Sequence, residues 1–335
     1  MAQEVQSPVG SVSITWAAVG STPVAGGDAS GLARIRLTRK ALLKQLVLRL
    51  SGTWDQSVGA ETQATEGNPV LISNIQLDVN GRKIRLIGGG GGLLYEINRI
   101  VNQGAGPKID PAVGAGVGKV FSSTLYYDMS EYDAKEEHVS DFTLLDLANY
   151  DNVFLEVQFG PFNRYVSGNT QANMAATLTV EELDILGVRR LPQLHFEPRK
   201  VQVASLVNAQ IDAALDLVRR KTVTRGLLLR FGTLSSTPII TGNASLTQLA
   251  VKGTLNQGTT QDIKQKMPIA AYQQTVGHGR NGISLLAGYI EIDFANNRKA
   301  AGKIVGENYT DFRLLYDNTP LAGGMLEVYQ LATAR

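Results

Sequence analysis

Gly114-Ala115-Gly116-Val117-Gly118-Lys119 is the stretch of this chain that comes nearest to a phosphate-binding loop. That loop needs a glycine five residues before the Gly-Lys pair and a hydroxyl residue after it, so that backbone N–H groups cradle phosphate and the hydroxyl meets magnesium. Val113 and Val120 stand at those two places, so the stretch reads as a loop ahead of a strand over Val120–Met129. Gly88–Gly92 lies between an alternating segment and a helical one, the context of a dinucleotide fingerprint. Leu93 occupies the third glycine position, and the flanking pattern is antiparallel, so these glycines read as a sharp turn or a close packing contact.

His138, His195 and His278 are the only histidines, and none has another at ligand spacing. A nucleophilic triad needs a histidine beside a serine and a carboxylate, and nothing in the spacing supports one. The chain has no cysteine, which removes disulfides, thiolate nucleophiles and thiolate metal sites. Asp128, Glu131, Asp133, Glu136 and Glu137 form an acidic cluster without the spacing of an EF-hand. It reads as a solvated loop, with calcium binding over 128–137 as the lesser alternative. Arg34, Arg36, Arg39, Lys40, Lys44 and Arg49 form a basic stretch, and Arg219, Arg220, Lys221, Arg225 and Arg230 form a second. Solvated strand faces or ion pairs between subunits account for both, ahead of contact with anionic lipid or a genome. No catalytic, cofactor-binding or metal-binding residue is assigned. The chain is not expected to be an enzyme or to need a cofactor.

The elements that carry these residues have mainly a period of two. Ile75, Leu77 and Val79 alternate with Gln76, Asp78 and Asn80; Asn80-Gly81 follows, then Ile84 and Leu86 alternate with Lys83 and Arg85. Asn-Gly readily adopts the two positive φ angles of a tight turn, so this is a hairpin. Thr177–Val180 and Leu183–Ile185 alternate on either side of Glu181-Glu182, and Ile290, Ile292 and Phe294 alternate with polar or aromatic neighbours. Leu46–Leu50 and Leu227–Phe231 read as more buried strands, with one arginine in each. Short helices are predicted over Leu93–Val101 and Pro268–Val276. Residues 214–219 read as strand despite helical spacing at Ile211, Ala214, Leu215 and Val218.

Four strings recur in order along the chain: Ile35–Lys40 as Leu215–Arg220, Gln76–Gly81 as Gln248–Gly253, Asp141–Leu145 as Asp311–Leu315, and Leu155-Glu156-Val157 as Leu326-Glu327-Val328. A separation this long points to a duplicated domain, because each unit is large enough to hold its own core. The length of 335 residues suits two domains. The seam falls near Gly187–Lys200, with Pro192, Pro198 and two basic pairs. The reading is all-β: an arm over 1–30, then two tandem eight-stranded β-sandwiches of jelly-roll type over 31–190 and 191–335, each with one short helix. Within the arm, only Ser11–Ala17 reads as a strand.

Charged residues make up 19% of the chain, glycines number 35 and the net charge is +2. That mix favours turns and large contacts with other chains over a charge-coated monomer, and it gives no strong field toward nucleic acid. Sequence-specific nucleic-acid binding is not expected. The N-terminus shows no basic start followed by an apolar run, and Leu42–Leu50 is too short to span a bilayer.

Thr124-Leu125-Tyr126-Tyr127, the acidic loop to Ser140, Leu144–Asn149 and Val153–Phe159 resemble the late strands of the first roll in double jelly-roll major capsid proteins of tailless, icosahedral, membrane-containing bacteriophages and related viruses. Asp311–Leu315 and Met325–Leu331 resemble their equivalents in the second roll. The resemblance implies a structural protein of the virion, assembled in the host cytoplasm. It also implies a homotrimer of nearly hexagonal outline that tiles an icosahedral shell, with the N-terminal arm locking neighbouring capsomers. Minor capsid and vertex proteins, and an underlying lipid membrane, are the further partners implied. The alternative is a tandem β-sandwich module that binds a receptor or glycan, as an adhesin or spike. Aromatic residues are only 7% and scattered, which counts against a glycan platform.

Overall fold

The computed structural model describes residues 3–334 apart from 39–40, 57–61, 102–108, 111–115, 130–142, 169–172, 188–194, 234–244, 273–284, 287 and 295–302. The described residues divide into two compact units, one within residues 1–195 and one within residues 196–335.

The first unit has eight main strands: β1 (Gln3–Trp16), β2 (Leu32–Arg36), β3 (Leu42–Gln56), β4 (Ile72–Val79), β5 (Arg82–Ile87), β6 (Gly116–Asp128), β7 (Val153–Phe159) and β8 (Met174–Leu186). One sheet runs β1-β8-β3-β6 and the other β2-β7-β4-β5, and the pairings of both are antiparallel. Two-residue strands at Val24–Ala25, Ile109–Asp110 and Leu145–Asp146 extend the first sheet. The second unit repeats the plan with β9 (His195–Ser205), β10 (Gln210–Asp216), β11 (Thr222–Thr233), β12 (Leu246–Leu255), β13 (Thr260–Pro268), β14 (Tyr289–Asp293), β15 (Tyr309–Asn318) and β16 (Gly324–Ala334). Its sheets run β9-β16-β11-β14 and β10-β15-β12-β13. The strand order is therefore the same in both units, and it is the order of a jelly roll.

Alternation supplies each core. In the first roll, Trp16, Trp54, Phe121, Phe162 and Tyr165 are buried together, with Phe162 5.5 Å from Trp16 and 5.7 Å from Trp54 between ring centroids. Edge-to-face contacts of this kind add to the burial of the rings. In the second roll, Leu227, Leu229 and Phe231 of β11 pack with Phe312, Leu314 and Ile292. The intervening Leu228 and Arg230 are buried as well, which explains the nearly continuous apolar run of β11.

The Asn80-Gly81 turn has φ of 51° and 85°, and it joins β4 to β5 as the sequence predicts. The first predicted helix is α1 (Gly90–Val101), which buries Leu93, Leu94, Ile97 and Ile100. It starts three residues earlier than predicted, and the glycines of its first turn allow close approach: a Cβ on Gly90 would lie 2.1 Å from the Ile72 carbonyl oxygen, and one on Gly91 would lie 2.2 Å from that of Pro69. In the second roll, residues 269–272 are helical at the corresponding place, and 273–276 fall outside the described residues. Pro268 closes β13 instead of opening the helix.

Other expectations need correction. Residues 3–16 of the predicted arm form β1, which pairs with β8 along its length. Pro8 and Gly10 hid the alternation, because the ladder shifts register between them. Glu181-Glu182 does not break the strand around it: β8 is continuous, and Glu182 is buried with the backbone N–H of Thr38 donating to its carboxyl at 2.8 Å, which offsets part of the cost of burial. The strand predicted over 214–219 runs from Gln210 to Asp216, so it begins earlier and does not include 217–219. A bulge between Gln210 and Ala213, with Asp212 at φ 53°, gives this segment its helix-like spacing.

The repeat is real, but only half of the matched strings mark it. The Leu37 N–H donates to the Val153 carbonyl at 3.0 Å, and the Leu217 N–H donates to that of Phe312 at 2.9 Å. Val79 lies opposite Val153, and Gly253 lies opposite Phe312. Ile35–Lys40 and Leu215–Arg220 are thus in register. Gln76–Gly81 and Gln248–Gly253 begin on corresponding strands, but the match is slipped by two residues, which keeps each side chain on its face. Leu155-Glu156-Val157 lies on β7, whereas Leu326-Glu327-Val328 lies on β16, the counterpart of β8. Asp311–Leu315 lies on β15, the counterpart of β7, so its likeness to Asp141–Leu145 is coincidental. Buried strands draw on few residue types, and short strings recur among them.

Candidate assembly surfaces

No group of three or more His, Asp or Glu side chains that could hold a metal ion occurs among the described residues. His195 opens β9. His138, His278 and the acidic residues Glu131, Asp133, Glu136 and Glu137 lie outside the described residues, as do Arg39, Lys40, Gly114 and Ala115. Gly118 lies within β6 where its ladder with β3 shifts register; it adopts φ 66° and donates its N–H to Asp55 at 2.7 Å, which fits a β-bulge. Asp128 accepts a hydrogen bond from the Gln45 amide at 2.6 Å. Burial pushes its carboxyl above the ordinary range, against the pull of Gln45 and Lys44.

Four members of the basic stretches, Arg34, Lys44, Arg49 and Arg230, form ion pairs within the chain. On the outer face of the β2-β7-β4-β5 sheet, Arg34 lies 2.8 Å from Asp78 and 3.3 Å from Glu156. Its guanidinium sits 3.9 Å from the Phe154 ring centroid, in cation–π contact. Lys83 completes the network, 3.0 Å from Asp78 and 2.5 Å from Glu156. Burial raises the Asp78 carboxyl, but Lys83, the Gly81 N–H and Arg34 outweigh it and hold it below its ordinary value. On the first roll's other sheet, Arg49 lies 3.2 Å from Glu181 and Lys44 pairs with Glu4.

In the second roll, Arg230 and Lys200 flank Glu327 at 3.2 Å and 3.0 Å. Arg219 donates to the Tyr309 carbonyl at 2.9 Å. The outer face of the β10-β15-β12-β13 sheet is charged and open. Arg313 lies 3.0 Å from Asp216 and 2.9 Å from Asp311, and Lys252 lies 3.8 Å from Asp262. Lys266 bridges Asp212 and Asp317, at 2.8 Å from each, and braces the bulge. Beside Asp212, Ile211 is 82% exposed, and Val203 and Val207 are exposed nearby in sequence. Exposed apolar side chains rimmed by charge are a usual feature of contact surfaces between proteins.

The sequence pointed to both basic stretches but not to their carboxylate partners. Arg34, Asp78, Lys83 and Glu156 come from four strands, and only the register of the sheet brings them together. The Asn80-Gly81 hairpin was the one legible signal, since it places Asp78 opposite Lys83.

Two such rolls in one polypeptide define a double jelly-roll fold. Solved structures that share it include the major capsid protein of STIV, with 14% identity, a TM-score of 0.69 and coverage of 99% of this chain and 97% of that one. The major capsid protein P2 from bacteriophage PM2 matches with 12% identity, a TM-score of 0.60 and coverage of 99% and 97%. The PBCV-1 virus capsid matches with 12% identity, a TM-score of 0.64 and coverage of 100% and 94%. No family model matches the sequence, and no curated protein matches it.

Proposed function

We propose that this chain is the major capsid protein of an icosahedral virus, a structural protein and not an enzyme. The observation that carries the reading is the tandem pair of rolls with one strand order, spanning nearly the whole length of the capsid proteins that it resembles. Three copies form a trimer whose six rolls give a nearly hexagonal outline. Fusing two rolls makes one roll-to-roll connection covalent, which raises the effective concentration of the second roll. Closed symmetry then covers the remaining lateral faces.

In this reading the rolls over 31–190 and 191–335 are the tiles, and residues 1–30 contribute an outer strand to the first. The trimer contacts neighbouring capsomers, minor capsid and vertex proteins, and an underlying membrane where the virus has one. It assembles in the host cytoplasm and ends in the virion.

Native mass of the purified chain, followed by negative-stain imaging, tests the reading. A species of about three times 36.0 kDa with hexagonal outlines supports it. A chain that stays monomeric at high concentration overturns it in favour of a tandem receptor- or glycan-binding module.

A further inference from the structure

Corresponding positions on the two outer sheet faces carry opposite charge. In the β2-β7-β4-β5 sheet, one cross-strand row reads Arg36, Phe154, Asp78, Lys83. The corresponding row of β10-β15-β12-β13 reads Asp216, Arg313, Lys252, Asp262. The correspondence is fixed by the backbone bonds of Leu37 to Val153 and of Leu217 to Phe312, not by sequence likeness. Arg36 gives way to Asp216, Asp78 to Lys252 and Lys83 to Asp262, so the sign inverts at three positions. At the fourth, the Phe154 ring gives way to a guanidinium. The second row is open to solvent, with side-chain exposures of 75% for Asp216, 48% for Arg313, 47% for Lys252 and 51% for Asp262. Arg36 is exposed and Lys83 is half exposed in the first row, whereas Asp78 is buried beneath its ion pairs with Arg34 and Lys83.

We propose that these faces form an interface between copies of this chain, with the first-roll face of one copy seated on the second-roll face of the next. The proposal rests on the reading of the chain as a self-assembling subunit, and it names the surface that would do it. Two sheets laid face to face oppose their rows with the strand order either kept or reversed. With the order kept, Arg36 meets Asp216, Phe154 meets Arg313, Asp78 meets Lys252 and Lys83 meets Asp262. With the order reversed, Arg36 meets Asp262, Phe154 meets Lys252, Asp78 meets Arg313 and Lys83 meets Asp216. The oppositions of the exposed Arg36 and Lys83 are attractive in both senses, and the ring meets a cation each time.

A face meeting its own kind fares differently. Arg36 then meets Arg36 or Lys83, and Asp216 meets Asp216 or Asp262. Opposite charge across a contact acts mainly on partner choice, and like charges penalise the wrong partner. Single exposed pairs contribute little affinity. The device therefore selects unlike rolls from two different copies.

Reversing the charge on one side tests the proposal. Self-association of the Asp216→Lys/Asp262→Lys variant is measured by sedimentation equilibrium at about 50 mM salt, where screening is weak. Far-UV circular dichroism and the unfolding midpoint establish that the variant is folded. The expected result is association weakened at least about tenfold, with at least about threefold recovered when Arg36→Glu is added, because the reversed row again finds an opposite charge. A variant that associates like the wild type overturns the proposal and leaves the trimer reading standing, and weakening without recovery also overturns it. A wild-type chain that never associates sinks both.

Discussion

Arg230 of β11 and Glu327 of β16 lie directly across the ladder from each other, with Nη1 3.2 Å from the carboxylate and both side chains largely withdrawn from solvent. The Tyr329 hydroxyl donates to the same carboxylate oxygen at 2.6 Å, and Lys200 approaches the other oxygen. Burial pushes Glu327 up, but Arg230, Tyr329 and Lys200 together hold it below its ordinary value. Removing one member of such a set leaves a buried charge uncompensated, whereas replacing the pair with apolar residues of similar volume does not. Arg230→Ala is expected to cost about 3 kcal/mol, and Arg230→Met with Glu327→Leu about 1 kcal/mol or less. Urea unfolding of the two variants checks this, and equal losses would count against a coupled pair.

Asp184 of β8 is buried, and its carboxyl is pushed up to about 7, first by burial and then by the nearby charge of Glu182. A carboxyl whose folded value lies above its unfolded value holds its proton more tightly in the folded chain. Its contribution is therefore fully present below pH about 4 and is lost as pH rises to about 7. Asp184→Asn is expected to gain stability over wild type on the order of 2 kcal/mol at pH 8 and almost nothing at pH 4. Thermal unfolding at the two pH values reads the difference, and an equal gain at both would refute this assignment.

Gly90 and Gly258 both have positive φ, but only Gly90 is crowded, with carbonyl oxygens where a Cβ would go. Gly258→Ala should cost about 1 kcal/mol from backbone strain alone, and Gly90→Ala about 3 kcal/mol or more, because α1 must shift as well. Unfolding midpoints of the two variants give the comparison.

Phe162 touches Trp16, Trp54, Phe121 and Tyr165, and it is fully buried. Phe162→Ala is expected to cost about 3–5 kcal/mol, with Phe162→Leu costing under half as much. Tryptophan fluorescence should report the loosening of Trp16 and Trp54 in the alanine variant.

The architecture was legible where alternation and turn chemistry agree. Ile75–Val79, Asn80-Gly81 and Ile84 encode a hairpin in full, and the helical spacing over Leu93–Val101 marks α1 apart from its first three residues, which are glycines. β1 was harder to read because Pro8, Gly10 and the serines dilute its apolar face. The Ile211–Asp212 bulge made β10 resemble a helix. The charged networks were out of reach from sequence alone, since Arg34, Glu156 and Asp78 converge only once three distant segments take one register.

The two rolls have matching strands but unequal connections. Val79 to Val153 in the first roll is a longer stretch of chain than Gly253 to Phe312 in the second, although both stretches join the same pair of elements. The two halves of the chain therefore carry different connections on the same framework of strands. Any molecule that bound these connections could tell one roll from the other. Duplication would then supply the tiling, and the uneven loops would supply an address on each tile.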